Sequence, residues 1–145
     1  MVTQNVTFSQ LAETHYLPKN IKVAVHLHAF YIDLIPEFAE ALCNIPVEFD
    51  LFVSIPQPNF QKEEISKTLH RIPNLKNITI EQTPNKGRDI APMLCTFGER
   101  LRKYNIFLHL HTKKSPHLKT SDGWRQHILE HLLNSPSLVS GILAT

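Results

Sequence analysis

"IKVAVHLHAFYIDLIPEFAEALCN", residues 21–44, decides how the chain is read. Its first ten residues alternate and are rich in β-branched side chains, which predicts a strand. From Asp33 the spacing changes: Leu34, Phe38 and Leu42 recur every four positions, one face of a helix. Asp33 suits the N-cap, and Pro36 falls in the first turn, where its missing N–H costs nothing. A strand running directly into a helix is the opening unit of an α/β chain.

The same unit recurs downstream. "FDLFVSI" (49–55) is a second strand, closed by Pro56 and Pro58. "QKEEISKTLHRI" carries Ile65, Leu69 and Ile72 at helical spacing until Pro73 stops it. "NITIEQ" (77–82) is a third strand, and "TPNKGRD" a turn. In the helix "IAPMLCTFGERLRKY", Ile90, Leu94, Phe97 and Leu101 are expected along one stripe. "IFLHLHT" (106–112) is the fourth strand. A polar loop through Gly123 leads to the helix "WRQHILEHLL", and Ser135-Pro136 starts a last one. Strands alternating with helices predict a Rossmann-like α/β fold, its mainly parallel sheet covered on both faces. Residues 1–20, weakly periodic, are expected to be a loose arm, and 21–145 one domain. The apolar ending "VSGILAT" implies a piece of a longer protein.

Composition narrows the classes. With 145 residues, 42% of them apolar, the chain can bury a core. Fifteen Lys and Arg against thirteen Asp and Glu give a net charge of +2, too mild to imply nucleic acid. Cys43 and Cys95 are expected as reduced thiols buried in helices, and no CxxC metal motif or disulfide framework is present. No leader pattern and no run of about 18 apolar residues is seen, so a soluble, cytoplasmic protein is expected and the sequons at Asn5 and Asn77 carry little weight.

Ligands of open parallel sheets sit beyond the carboxyl ends of the strands. Three polar strings fall there: "VHLH", "NKGRD" and "HLHTKKS". Gly87 permits a positive φ, Asp89 can cap the following helix, and Lys86 and Arg88 stand at its start, which suits a phosphate. Lys113 and Lys114, arriving from the fourth strand, would focus four cations on one crevice. His26 and His28 share one face of the first strand, and His109 and His111 one face of the fourth. A strand order of 3-2-1-4 would cluster them, either hydrogen-bonded or holding zinc or another transition metal. Trp124, beside Arg125 and His127, would stack on a sugar or base, or pack on the sheet. Asp50 is expected to be a turn residue at the start of a strand.

These strings resemble the rhamnan synthesis protein F family, glycosyltransferase-like proteins of bacterial polysaccharide and lipopolysaccharide assembly. The resemblance rests on "VAVHLHAFYIDLIPEF", "FDLFVS", "NKGRDIAPML", "HLHTKKSPH" and "GWRQHILEHLLNS", in order over about 21–135. It implies a nucleotide-activated sugar donor, thymidine-diphosphate rhamnose, and a polysaccharide or lipid-linked glycan acceptor. It also implies work at the inner face of the bacterial membrane among assembly enzymes. More distantly, the order of elements is similar to the nucleotide-binding half of GT-A glycosyltransferases, where an Asp-x-Asp at the fourth strand's end holds Mg²⁺ or Mn²⁺. Here that end reads His109-Leu110-His111, followed by Thr112, Lys113 and Lys114, so fixed cations would take the metal's place on the leaving diphosphate. The donor set expected is Lys86, Gly87, Arg88, Asp89, His28, His109, His111, Thr112, Lys113 and Lys114, with His111 or Asp89 as candidate catalytic base. A non-catalytic nucleotide-sugar or glycan-binding module, and a metal-dependent hydrolase built on the four histidines, are the alternatives.

Overall fold

The computed structural model describes residues 19–114 and 121–145. The expected arm therefore lies outside the described residues except for Lys19 and Asn20, which form a turn. Asn5 and the end of "HLHTKKSPH" lie outside them too.

Four strands, β1 (Val23–His28), β2 (Phe49–Ile55), β3 (Leu75–Gln82) and β4 (Ile106–His111), form one sheet in the order β3-β2-β1-β4. Every pairing is parallel, with His26 opposite His109 and His28 opposite both His111 and Ser54. The two central strands are buried almost throughout, which is why they read as near-continuous apolar runs. The fold expected from the sequence is therefore found, with β3 starting two residues earlier than "NITIEQ".

The helices are α1 (Ile35–Leu42), α2 (Lys62–Leu69), α3 (Phe97–Leu101), α4 (Ser121–Leu133) and α5 (Pro136–Ala144). α1, α2, α4 and α5 bury Phe38, Leu42, Leu69, Leu133 and Val139 against Val25, Leu27, Leu51 and Val53 on one face of the sheet. Each such side chain contributes about 1.5–3 kcal/mol. Asn44, just past the end of α1, donates to the Leu133 carbonyl (2.7 Å), and Arg125 pairs with Glu37 (3.0 Å), fastening α4 to α1. Ser135 caps α5 by accepting from the Leu138 amide. The other face is different: a small cluster of Ala24, Phe52, Phe97 and Leu101 sits beside buried His26, His28 and Ser54.

Five local expectations are corrected. Asp33 does not cap α1; a 3₁₀ turn (Ile32–Leu34) intervenes, and Asp33 pairs with Lys114. Asp50 sits inside β2 and accepts from Tyr104 and Asn77 rather than making a turn. Gly123 lies within α4, because that helix starts three residues before "WRQ". The stripe Ile90–Leu94–Phe97–Leu101 is broken by a π turn over Pro92–Thr96, whose extra residue rotates the downstream helix by about 100°. Ile90 and Leu94 are exposed while Phe97 and Leu101 are buried. Cys95, in that turn, and Cys43, at the C-cap of α1, are both exposed rather than buried.

Candidate functional site

In this topology β1 is followed by a neighbour on one side (β2) and β4 arrives on the other, so the chain reverses direction across the sheet between β1 and β4. A crevice is expected outside the carboxyl ends of those two strands. A cleft of about 450 Å³ opens there, lined by His28, Phe30, Tyr31, the turn residues Asn85 and Gly87–Asp89, and His111–Lys113.

Its floor is a continuous polar chain. Parallel register places His26 beside His109 and His28 beside Ser54, and the two-residue repeat puts all four on one face. Asp89 Oδ2 lies 2.8 Å from His109 Nε2, and His109 Nδ1 lies 2.9 Å from His26 Nδ1. His26 Nε2 is 3.0 Å from Ser54 Oγ, which is 2.8 Å from His28 Nδ1. His26 and Ser54 are wholly enclosed, at 0% exposure, and such groups are tolerated only with their hydrogen bonds made. The first residue of α3 supplies the apolar cover: Phe97 packs on the His26 ring at 5.5 Å and on Phe52 at 5.3 Å.

Burial disfavours charge on these rings. It pushes His26 down to about 3, with His109 and His28 adding repulsion. Burial also lowers His28 and His111, against the attraction of Asp89. Burial pushes Asp89 up, but hydrogen bonds from His109 and its own amide, with His111 nearby, outweigh this and hold the carboxyl below its usual range. At neutral pH, His26, His28 and His111 are thus uncharged, and the fixed charges lining the cleft are Arg88, Lys113 and Asp89.

The expected donor set is brought together in part. Gly87, Arg88, Asp89, His28, His111, Thr112 and Lys113 line the cleft, and His109 lies beneath Asp89. Four cations do not converge: Lys86 is exposed and outside the lining, and Lys114 turns to Asp33 and the Tyr31 ring. The Thr112 hydroxyl accepts from the Tyr31 amide at 2.8 Å, holding the end of β1 against β4. Trp124 does not pack on the sheet; it is 63% exposed and stacks on His127. Instead of surrounding a common point with His28 and His111, His26 and His109 face each other through Nδ1 atoms at hydrogen-bond distance, 2.9 Å apart. Among the described residues, no group of three or more His, Cys, Asp or Glu side chains is placed to hold a metal ion. The lining offers one carboxylate, Asp89, which is engaged by His109.

Ser54, the link between the two histidines of β1, is absent from the sequence-based set. Its signal was the single hydroxyl near the end of the otherwise apolar "LFVSI". Phe30, Tyr31 and Asn85 are likewise additions from the geometry. No helix among the described residues is long and apolar enough to cross a membrane.

A family described as rhamnan synthesis protein F has a model that matches residues 1–145. Two curated relatives, each named uncharacterized protein WxcX and each from a strain of Xanthomonas campestris pv. campestris, are 31% identical over 122 residues. The match covers 82% of this chain and 16% of the relatives' own length.

Proposed function

The chain belongs to the rhamnan synthesis protein F family, and from that premise we propose that its cleft binds a nucleotide-activated sugar, thymidine-diphosphate rhamnose first, during synthesis of a rhamnose-containing cell-surface polysaccharide. The observation that carries this reading is that Arg88 and Lys113 both line the switch-point cleft, one from the turn after β3 and one from the end of β4. Two cations so placed suit a diphosphate. Phe30 and Tyr31 give an apolar wall for a ring of the donor.

The proposed reaction is glycosyl transfer. An acceptor hydroxyl attacks the anomeric carbon, the bond to the diphosphate breaks, and the charge developing on the leaving group meets Arg88 and Lys113. Their advantage over water is that they are already in place. The uncharged histidines contribute no charge to this step; their part is with protons.

Calorimetry with thymidine-diphosphate rhamnose, in chelator, tests the reading. We expect binding that free rhamnose does not reproduce, and about a tenfold rise in Kd, or about 1.4 kcal/mol, for Arg88→Ala and for Lys113→Ala. Equal affinity for free rhamnose, or indifference to both substitutions, would reject the diphosphate site. Binding only with added Mg²⁺ or Mn²⁺ would reject its metal-free form.

A further inference from the structure

Reading the hydrogen-bond chain under the cleft from its carboxylate end assigns a proton to one nitrogen of each ring. Asp89, held ionised, can only accept, so His109 donates through Nε2. Taking that as the single proton of His109, its Nδ1 accepts, which makes His26 Nδ1 the donor across 2.9 Å. His26, buried and uncharged, has one proton only, so its Nε2 accepts from the Ser54 hydroxyl. Ser54, its one proton spent, accepts in turn from His28 Nδ1. His28 is left with a bare Nε2 on the side of the ring away from Ser54. Among the described residues that nitrogen has no hydrogen-bond partner, and His28 lines the cleft.

We propose that His28, Ser54, His26, His109 and Asp89 form a proton relay whose entrance is His28 Nε2. When a hydroxyl in the cleft gives up its proton, one O–H bond breaks and one N–H bond forms at Nε2. His28 passes its Nδ1 proton to Ser54, Ser54 passes its own to His26 Nε2, and His26 passes its Nδ1 proton to His109 Nδ1. Four protons each move one hydrogen bond along, and His28, Ser54 and His26 end uncharged. The positive charge appears on His109, against the Asp89 carboxylate, so no charge comes to rest on the enclosed His26 ring. Run backwards, the relay returns the proton. Phe97 packs on the His26 ring, with Phe52 packed against Phe97. The charged and titratable groups facing it are Asp89, His111, Arg88 and Lys113.

The relay stands on this geometry; its use as the base toward an acceptor hydroxyl rests on the glycosyl-transfer reading of the cleft. The two are separable. Ring-nitrogen NMR of the unliganded chain at about pH 7.5, above the ordinary histidine range, reads each tautomer without any substrate. His26 and His28 should both carry the proton on Nδ1, the minor form for a histidine in water, and His109 on Nε2. Ser54→Ala should return His28 to the Nε2–H form. A proton on Nε2 of His26 or of His28 in the unsubstituted chain would overturn the relay, whatever the cleft binds.

The second readout is sugar transfer by the full-length protein. Ser54→Ala should lower kcat by roughly ten- to a hundredfold with KM for the donor little changed, and Ser54→Thr, which keeps the hydroxyl, should retain most of kcat. Unchanged kcat in Ser54→Ala would overturn the relay's part in transfer.

Discussion

A single methyl group at position 87 has nowhere to go. Gly87 has φ of +70°, and a Cβ built there would lie 2.2 Å from the Cβ of Ala91. The left-handed conformation alone costs a side-chain-bearing residue about 1–2 kcal/mol, and Arg88 already bears it at φ +54°. What holds Arg88 there are its neighbours: the Ala91 amide bonds to the Gly87 carbonyl, and Asp89 is tied to His109. Gly87→Ala should therefore lose at least those 1–2 kcal/mol in urea unfolding. Adding Ala91→Gly removes the contact but not the backbone strain, so the double variant should be more stable than the sum of the singles by about 0.5–3 kcal/mol. Strict additivity would mean that the turn absorbs the methyl group by moving. The need for glycine was legible in "NKGRD", since few other residues make such a turn. The partner of Asp89 was not: its side chain suits a helix cap equally well, and only the strand order brings His109 opposite.

The π turn and α3 act together. Had Ile90, Leu94, Phe97 and Leu101 shared a stripe, no one-residue offset would be needed; the offset brings Phe97 onto His26. Phe97→Ala should cost about 3–5 kcal/mol, read by urea unfolding. It should also raise the pKa of His26 from about 3 toward the ordinary histidine value, because burial is the largest cause of its depression. An NMR titration in which His26 stays unprotonated would show that Phe97 is not what keeps the ring dry. Strands were legible here and this helix was not, for a physical reason. A buried parallel strand announces itself by a short apolar run, and the run 49–55 coincides with β2 to the residue. A π turn leaves no mark in apolar spacing, and the offset it introduces reverses the exposure of Leu94 and Cys95 at once.

The sheet as a whole has one apolar face and one that holds enclosed polar rings, and this asymmetry ties its stability to pH. Unfolded, His26 binds a proton below its ordinary value of 6.5; folded, it resists until about 3. Between these values the unfolded state holds the extra proton, so stability is complete above 6.5 and falls with acid. The slope approaches about 1.4 kcal/mol per pH unit for one such group. His28 and His111, also lowered by burial, act in the same direction, while Asp89, lowered from 3.8, adds its share only in stronger acid. At the alkaline end Tyr104, raised to about 12 by burial and by Asp50, delays its own ionisation, so the stability it contributes is lost as pH rises from about 10. Urea unfolding at intervals of about half a pH unit should show a plateau around neutrality and a decline that begins near 6.5 and is steeper than one proton allows. His26→Gln, polar but without a titration, should be less stable at neutral pH and lose about 1.4 kcal/mol per pH unit less on acidification. If that variant declines as steeply as the natural sequence, the acid sensitivity lies elsewhere, and His28 and His111, nearest the cleft, are the groups to substitute next.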